Sequence, residues 1–237
     1  MTVYSSPSPS PDQVSTQVTV RCKGVLFDMD GVLISSLGSV ERSWSAWAQS
    51  RGIDPARAIQ TAHGRRAIET VKLLRPDLDD KAELKLIEDL EVADNEGLAV
   101  LPGVLRLLAA LPANRWTVVT SATERLARIR MAEGGIPMPE QIVTADQVTT
   151  GKPHPAPFLR GAEILGLDAA DCVVFEDSPS GTKAGRAAGC TVIGTTFSHS
   201  IEELNAAQYL VTDLTAISVE VLPGDTGLAL HFTPLAV

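Results

Sequence analysis

The chain has 237 residues, of which 44% are hydrophobic and 21% are charged, and its formal net charge is −9. This length suits one sizeable domain, or one domain with an insert, and the composition is ordinary for a globular protein. The acidic balance argues against binding to nucleic acid or to an anionic membrane, and no stretch approaches the roughly eighteen consecutive apolar residues of a membrane span. A site for an anionic substrate must therefore be locally positive.

The N-terminal segment, residues 1–18, is rich in Ser, Pro, Thr and Gln and lacks the apolar run of a signal peptide. Such a segment cannot bury enough apolar surface to order itself, so we predict a disordered tail. The three cysteines, Cys22, Cys172 and Cys190, are odd in number and widely spaced. This usage favours buried reduced thiols and a cytoplasmic location over a disulfide framework.

The first predicted element is a short buried strand, Val25-Leu26-Phe27, whose exit loop begins at Asp28. From Leu37 to Leu98 the pattern predicts helices and no strand. Four helices are predicted there, with these approximate bounds: 38–50, from Asp54-Pro55 onward, from Gly64 to before Pro76, and 79–95. The segment is therefore predicted to be a helical insert that opens directly after the first strand.

Beyond Pro102 the pattern alternates between helices and strands. The predicted helices are 103–111, 123–133, 155–165, 179–188 and 200–207, and the predicted strands are 116–120, 141–144, 172–176, 191–194 and 209–212. Such alternation predicts a parallel sheet with right-handed crossovers. The central strands are nearly continuous apolar runs, as expected when both faces of a sheet are covered. Residues 218–232 alternate around a turn signal and predict a small hairpin.

The predicted fold class is α/β, with a doubly wound parallel-sheet core and an inserted all-helical cap domain. The predicted units are a disordered tail over 1–18, an α/β core over 19–35 and 101–215, a helical cap over 36–100, and a C-terminal β-hairpin extension over 216–237. The insert opens at the carboxyl edge of the sheet, which is where open α/β sheets bind ligands.

Polar residues cluster where the predicted strands end and where one of the core helices begins. The clusters are Asp28 with Asp30, Thr120 with Ser121, Lys152 in Gly151-Lys152-Pro153, and Glu176 with Asp177. In a doubly wound sheet all of these meet at one edge. Carboxylates this close repel each other unless a cation lies among them, and hard oxygen ligands of this kind suit Mg²⁺.

These residue types suit phosphoryl transfer. An ionised Asp can attack phosphorus if a metal and a Lys neutralise the phosphoryl oxygens. A second carboxylic acid two residues later can protonate the leaving oxygen and then take a proton from water. Each cluster also has an ordinary structural interpretation: a turn at Asp28, a helix cap at Ser121, a solvated charge at Lys152 and a helix start at Glu176. Their order along successive strand ends favours the phosphoryl-transfer site.

Four motifs carry a resemblance to the haloacid dehalogenase-like superfamily, over about residues 20–213: VLFDMDGVL, VTSA, GKPHP and VFEDSPSG. The resemblance implies a Rossmann-like core with Asp28 as nucleophile and Asp30 as general acid and base. It implies that the phosphate is held by Gly31, Ser121, the backbone of Ala122, and Lys152. It also implies that Mg²⁺ is held by Asp28, the Asp30 carbonyl and Asp177, with Glu176 beside them or as a further ligand.

The helical insert resembles the cap of the β-phosphoglucomutase-like branch of this superfamily. Three further segments, AHGRR, VTADQV and GKPHPAPFLRG, resemble the glycerol-1-phosphatase and 2-deoxyglucose-6-phosphate phosphatase group. Many relatives carry Asp-Ser after the first motif, whereas this chain has Ile34-Ser35-Ser36, a departure that also occurs in the polyol and sugar phosphatase group. The resemblance implies a small phosphorylated metabolite as substrate, with glycerol phosphate, a hexose 6-phosphate and a pentose phosphate all open.

Within the insert, His63, Gly64, Arg65 and Arg66 open the third predicted helix. Helix N-termini and arginines attract anions, so we expect these residues to bind substrate, with Arg66 the preferred contact; a solvent-facing helix start is the alternative.

The remaining aromatic residues and histidines of interest have structural interpretations. Trp44 and Trp47 are predicted to form the cap core or, alternatively, to line the pocket. His154 and His199 are interpreted as loop residues without a catalytic role.

Three functions compete. The favoured one is a Mg²⁺-dependent sugar- or polyol-phosphate phosphatase that acts as a monomer, with no nucleic-acid or membrane partner. The second is a phosphomutase on the same scaffold. In β-phosphoglucomutase-like mutases a histidine lies about twelve residues after the nucleophile, and Val40 occupies that position here. The third is a non-catalytic binding module, which the full set of catalytic residue types disfavours.

Overall fold

A computed structural model describes residues 16–236 of the chain. Most of the predicted tail, residues 1–15, lies outside the described residues, and Val18 already begins the first strand. None of the helices in residues 16–236 combines the length and the apolar character that crossing a bilayer requires.

Ten strands and eight α-helices make up the regular structure of the described residues. The strands are β1 Val18–Cys22, β2 Gly24–Phe27, β3 Ile34–Ser35, β4 Ala99–Val100, β5 Trp116–Val118, β6 Cys172–Glu176, β7 Thr191–Thr195, β8 Tyr209–Val211, β9 Ser218–Val221 and β10 Leu228–Phe232. The helices are α1 Leu37–Ser50, α2 Pro55–Ala62, α3 Ala67–Leu74, α4 Asp80–Ala93, α5 Val104–Ala110, α6 Glu124–Glu133, α7 Ala156–Ile164 and α8 Pro179–Ala187.

Five strands form a parallel sheet in the spatial order β5-β2-β6-β7-β8. β2, the first of these five strands in the chain, thus lies between β5 and β6. The chain goes from β2 to β5 on one side and then crosses to β6 on the other, so its direction across the sheet reverses between β2 and β6. Open α/β sheets bind their ligands outside the carboxyl ends of the strands at this reversal. The residues that follow β2 and β6 are therefore the ones expected to meet a ligand.

Both faces of the sheet are covered because successive side chains of a strand point to opposite faces. Val25 and Phe27 of β2 pack into a cluster that includes α5 and α6 residues. Leu26, between them in sequence, packs into a second cluster together with Phe158 of α7 and Ala184 of α8. This arrangement confirms the predicted doubly wound α/β core.

The helices α1–α4 form the cap, which is joined to the core through an antiparallel ribbon of β3 and β4. The cap has its own small core, in which Trp44, Trp47, Val71 and Ile87 are almost fully buried. Asp54 caps α2 by accepting a hydrogen bond from the Ala56 amide, as its position before Pro55 predicted.

A separate antiparallel sheet has the order β1-β10-β9 and packs against the first core cluster. The predicted 218–232 hairpin corresponds to β9 and β10. The pairing of β1 with β10 has no local sequence signal, because the two strands lie at opposite ends of the described chain.

Two predicted elements are wrong. Residues 201–206 form turns and no helix, although the Leu204 amide does bond to the Ser200 carbonyl. The predicted strand 141–144 is reduced to one isolated bridge between Val119 and Val143.

A glycine begins the core helix α5 and packs closely against another core segment. Gly103 caps α5 with φ +82°, and a Cβ there would lie 2.3 Å from the backbone carbon of Leu214. We predict that Gly103→Ala lowers the free energy of unfolding by at least about 1 kcal/mol more than Gly135→Ala, because only the first adds a backbone clash to the strain of a left-handed residue. Gly135 is the matched control, since it has φ +60° and a Cβ added there would meet no heavy atom within 4 Å. Equal losses in urea denaturation would contradict the packing argument.

Candidate active site

A buried lysine lies at the centre of the site, at the carboxyl edge of the sheet. The Lys152 ammonium is 2.8 Å from Asp28 Oδ1, 2.7 Å from Glu176 Oε1 and 3.0 Å from the Val119 carbonyl oxygen. Its three donors are therefore all used, and its side chain is 2% exposed. The alternative interpretation of Lys152 as a solvated surface charge is wrong.

Charge balance around this lysine determines the protonation of its neighbours. Burial disfavours the ammonium, but the two carboxylates outweigh it and raise the pKa of Lys152 above its usual value. Burial raises the pKa of Asp28, against the opposing effect of Lys152, and burial together with Glu176 and Asp28 raises the pKa of Asp177. One ammonium thus cannot fully stabilise three buried carboxylates, so the site favours an additional cation.

The three carboxylates are placed to receive that cation. Each of Asp28, Glu176 and Asp177 offers a carboxylate oxygen, and these oxygens lie within 4.8 Å of one another. Hard oxygen donors of this kind fit a divalent cation such as Mg²⁺. A Cβ on Gly31 would lie 1.8 Å from Asp177 Oδ2, so only glycine leaves room for this carboxylate.

Glu176 differs from the other two carboxylates because both of its oxygens are engaged by the protein. Oε1 accepts from Lys152, while Oε2 accepts from the Asp177 and Ser178 amides and from the Ser178 hydroxyl, each at 2.9 Å. Ser178 also caps α8 by accepting from the Gly181 amide. Glu176 therefore organises the loop that carries Asp177, which agrees better with a supporting position than with direct ligation.

Asp30 lies beside this cluster and is held by two donors on the same oxygen. Its Oδ1 accepts from the Ser36 hydroxyl at 2.6 Å and from Arg130 Nη1 at 2.9 Å. Arg130 belongs to the C-terminal half of α6 and is almost fully buried. Sequence reasoning missed it, because nothing in the local pattern of a helix shows which distant carboxylate a given arginine reaches.

The turn after β5 presents a free hydroxyl. Ser121 is partly exposed, and its hydroxyl has no hydrogen-bond partner among the described residues. Thr123 caps α6 instead, through the Leu126 amide, so the helix-cap interpretation of Ser121 is wrong. The Ala122 amide, expected to face phosphate, donates to Thr120 Oγ1 at 3.0 Å.

Two of the contacts that dock the cap on the core involve the segment 63–66. Gly64 has φ +68°, its carbonyl accepts from Ser180 Oγ at 2.8 Å, and a Cβ there would lie 2.7 Å from Ser178 Oγ. Arg66 donates to the carbonyls of Val148 and Thr149, at 2.6 and 2.7 Å, on the core loop. Both contacts bring the segment 63–66 next to the carboxylate cluster.

The two cap arginines have different environments. Arg66 is 8% exposed, and its guanidinium is used by the core loop and by Glu69. Arg65 is exposed, lines the cleft and has no side-chain partner among residues 16–236. In this arrangement the donors of Arg66 already stabilise cap docking, so Arg65 is the available cation, and a substrate contact of Arg66 stays a prediction.

Two histidines face each other across the boundary between cap and core. The rings of His63 and His199 lie 6.1 Å apart, and His199 Nδ1 is within hydrogen-bond distance of Ser198 Oγ and the Asp177 carbonyl. Burial lowers the pKa of His63, and His199 adds to this effect. His199 is a loop residue, as the sequence predicted, and the structure places this loop in the cleft. His154 lies outside the cleft, and its ring accepts from the Ala156 amide.

The cleft between cap and core has a volume of about 260 Å³. Its floor is formed by Asp28, Asp30, Ser121 and Asp177, and its cap wall carries His63 to Ile68, Val40, Trp44, Ile87, Glu88 and Glu91. Trp44 therefore belongs both to the cap core and to the wall, whereas Trp47 is fully buried and donates to Glu83. A cavity of this size is at the small end of ligand pockets, roughly 300–1,000 Å³, and suits a small metabolite.

Comparison with known proteins agrees with this geometry. A family model for haloacid dehalogenase-like hydrolases matches residues 22–189. Hexitol phosphatase A of Escherichia coli (strain K12) is 40% identical over 212 residues, which span 86% of this chain and 97% of that protein. Glycerol-1-phosphate phosphohydrolase 2 of Saccharomyces cerevisiae is 34% identical over 194 residues, 76% of this chain and 78% of the relative. The crystal structure of a hydrolase from Pseudomonas syringae superposes with a TM-score of 0.73 at 24% identity, covering 81% of this chain and 94% of that one, and shows the shared fold.

The carboxylate of Glu91 on the cap wall should make the free energy of unfolding depend on pH. Burial raises its pKa from 4.5 to about 7, against the opposing effect of Arg130; Asp30 and Glu88 raise it further, and a hydrogen bond from Trp44 lowers it. Because the folded state then binds more protons, stability from this group is present below pH 4.5 and is lost as the pH rises to about 7.

We therefore predict that Glu91→Gln removes this loss. The unfolding free energy of the variant minus that of the wild type should rise by up to about 3 kcal/mol between pH 4.5 and 7.5. Urea denaturation at several pH values, without divalent cations, measures the difference. Glu83→Gln is the control: Glu83 is equally buried on the same helix, but its hydrogen bond with Arg51 lowers its pKa, so its difference should stay flat above about pH 5.5. A flat difference for Glu91→Gln would contradict the assignment.

Proposed function

Since this chain belongs to the haloacid dehalogenase-like hydrolases, we propose that it is a Mg²⁺-dependent phosphatase of small sugar or polyol phosphates. The observation that carries the proposal is the contact between Asp28 and the buried ammonium of Lys152, with Asp30 beside it on the floor of the cleft. The names of the two relatives, a hexitol phosphatase and a glycerol-1-phosphate phosphohydrolase, support this substrate class.

In the first step an oxygen of Asp28 forms a bond to phosphorus while the bond from phosphorus to the leaving oxygen breaks. Lys152 holds the Asp28 carboxylate in place through Oδ1, so Oδ2 is the oxygen available for attack. The positive charge of Lys152 also compensates the negative charge of the phosphoryl group. Ser121 offers a hydroxyl donor at the same edge of the sheet. Asp30 gives its proton to the leaving oxygen, and the alcohol departs.

In the second step water attacks the phosphorus of the aspartyl-phosphate, and the bond from phosphorus to Asp28 breaks. Asp30, now ionised, takes a proton from this water, which returns both carboxyl groups to their starting states. The Ser36 and Arg130 donors hold Asp30 through one oxygen, so its other oxygen can serve both proton transfers.

Asp28 and Asp177, together with the Asp30 carbonyl, would hold Mg²⁺, and Glu176 would support them from behind. When bound, this ion supplies charge stabilisation for the phosphoryl oxygens and relieves the repulsion between the carboxylates. The raised pKa values of Asp28 and Asp177 are the property of this chain that supports a cation at this place.

A mutase is less well supported than a phosphatase. A mutase must return the phosphate to substrate and so needs a proton-transfer group at the cap linker. Val40 is an apolar part of the cleft wall and supplies no such group. A phosphatase has no need of one, because water is its second acceptor.

We also propose that the enzyme works as a cytoplasmic monomer. One chain supplies every residue type that the reaction needs, and Asp28, Asp30, Ser121 and Asp177 line the same cleft. The three cysteines are buried and unpaired, which suits a reducing compartment.

We predict that Asp28→Asn abolishes turnover, by at least roughly 10³-fold, because an amide cannot act as the nucleophile. The measurement is phosphate release from a panel of phosphate esters, with Mg²⁺ and after chelation with EDTA; chelation should abolish activity and Mg²⁺ should restore it. Asp171→Asn is the matched control, since Asp171 pairs with Lys23 at 2.8 Å but lies at the opposite end of β6. Residual activity within tenfold of wild type, or full activity after exhaustive chelation, would refute the proposal.

Asp30→Asn should lower kcat by about 10²–10⁴-fold for alkyl phosphates, whose leaving oxygen needs a proton. The loss should be much smaller for p-nitrophenyl phosphate, because its leaving group departs without protonation. Comparing the two substrates under single-turnover conditions tests this step. Equal losses for both would argue against Asp30 as the acid.

A further inference from the structure

The cap wall of the cleft contains a carboxylate with few partners. Leu84, Ile87, Glu88 and Glu91 form a stripe on α4 that lines the cleft. Glu88 is anchored to the core, because it accepts from the Thr123 hydroxyl and from Arg125. Glu91 is 8% exposed, and its contact with Arg130 Nη2 of the core is long, at 3.4 Å.

Arg130, which Glu91 contacts, has a hydrogen-bond donor without an acceptor. Its Nη1 donates to Asp30 at 2.9 Å, whereas its Nε is buried and has no hydrogen-bond partner among the described residues. Unsatisfied buried donors are costly and uncommon in folded proteins, so this one calls for a partner. Arg130 and Glu91 both line the cleft, so a bound molecule can reach both.

We propose that Glu91 and Arg130 recognise a hydroxyl group of the leaving group, and so select neutral, hydroxyl-bearing phosphate esters. A hydroxyl satisfies both residues: its hydrogen donates to the Glu91 carboxylate, and its oxygen accepts from the Arg130 guanidinium. This inference rests on the proposed phosphatase function and adds a specificity determinant to it.

The position of the pair fixes which part of the substrate it recognises. Arg130 also holds Asp30, the group that protonates the leaving oxygen, so the recognised hydroxyl lies close to the ester carbon. Glu91 would repel a carboxylate in that place. Phosphate esters of hydroxy acids are therefore selected against.

Burial raises the pKa of Glu91 to about 7, although Arg130 and a hydrogen bond from Trp44 oppose the shift. The experiment is best performed at pH 8, where Glu91 is ionised. The probes are glycerol 1-phosphate, propyl phosphate, which lacks hydroxyls, and phosphoglycolate, which has a carboxylate next to the ester carbon.

Wild-type enzyme should prefer glycerol 1-phosphate over propyl phosphate by at least about tenfold in kcat/KM. Glu91→Ala should reduce this preference to within about threefold, mainly by lowering the value for glycerol 1-phosphate. Glu91→Gln should raise the phosphoglycolate to glycerol 1-phosphate ratio by at least about tenfold, because it removes the repulsion and weakens the hydroxyl bond.

Glu83→Gln is the matched control, a change of the same kind on the same helix at a carboxylate that bonds to Trp47 and Arg51 away from the cleft. It should leave both ratios unchanged even if it loosens the cap. Equal losses for glycerol 1-phosphate and propyl phosphate in Glu91→Ala, or an unchanged phosphoglycolate ratio in Glu91→Gln, would overturn the inference while leaving the phosphatase function intact. Absence of wild-type activity on every ester, p-nitrophenyl phosphate included, would instead refute the function itself.

Discussion

The buried ammonium of Lys152 is the interaction on which the rest of the site depends. It joins Asp28, at the end of β2, to Glu176, at the end of β6, and so closes the sheet edge where the chain direction reverses. Without it, two carboxylates would be buried side by side with no opposing charge, which is strongly unfavourable. The remaining deficit of positive charge is what makes this edge suitable for both a divalent cation and a phosphoryl group.

The cap completes the cleft through polar contacts rather than through a continuous apolar interface. Gly64 meets the serines at the start of α8, and Arg66 reaches the carbonyls of the core loop at Val148 and Thr149. These bonds are exposed to exchange with water when the cap moves, so they suit a cap that opens for each substrate. Arg130 links the core to the cap through hydrogen bonds, because it donates to Asp30 in the core and to Glu91 in the cap.

The substrate class that suits the site follows from the size of the cleft and from the charges of the residues that line it. The floor is rich in charge and suits a phosphoryl group. The cap wall is mostly apolar, with Arg65 and Glu91 as weakly partnered charged groups, and so suits discrimination between leaving groups. Specificity in such an enzyme can change through one or two cap residues while the chemistry of the floor stays the same.

The sequence by itself determined the α/β core, the helical insert, the strand ends that carry Asp28, Ser121 and Asp177, and the helix start that carries Lys152. These features depend on local patterns and on the rule that parallel strands end at one edge, so they follow from the order of residues alone. Only the tertiary structure decided that Arg130 holds Asp30, that Arg66 docks the cap while Arg65 stays free, and that His199 faces the cleft. Each of these depends on how a helix is rotated and where a distant loop lies, and side chains far apart in the chain leave no trace of their pairing in the local pattern of either segment.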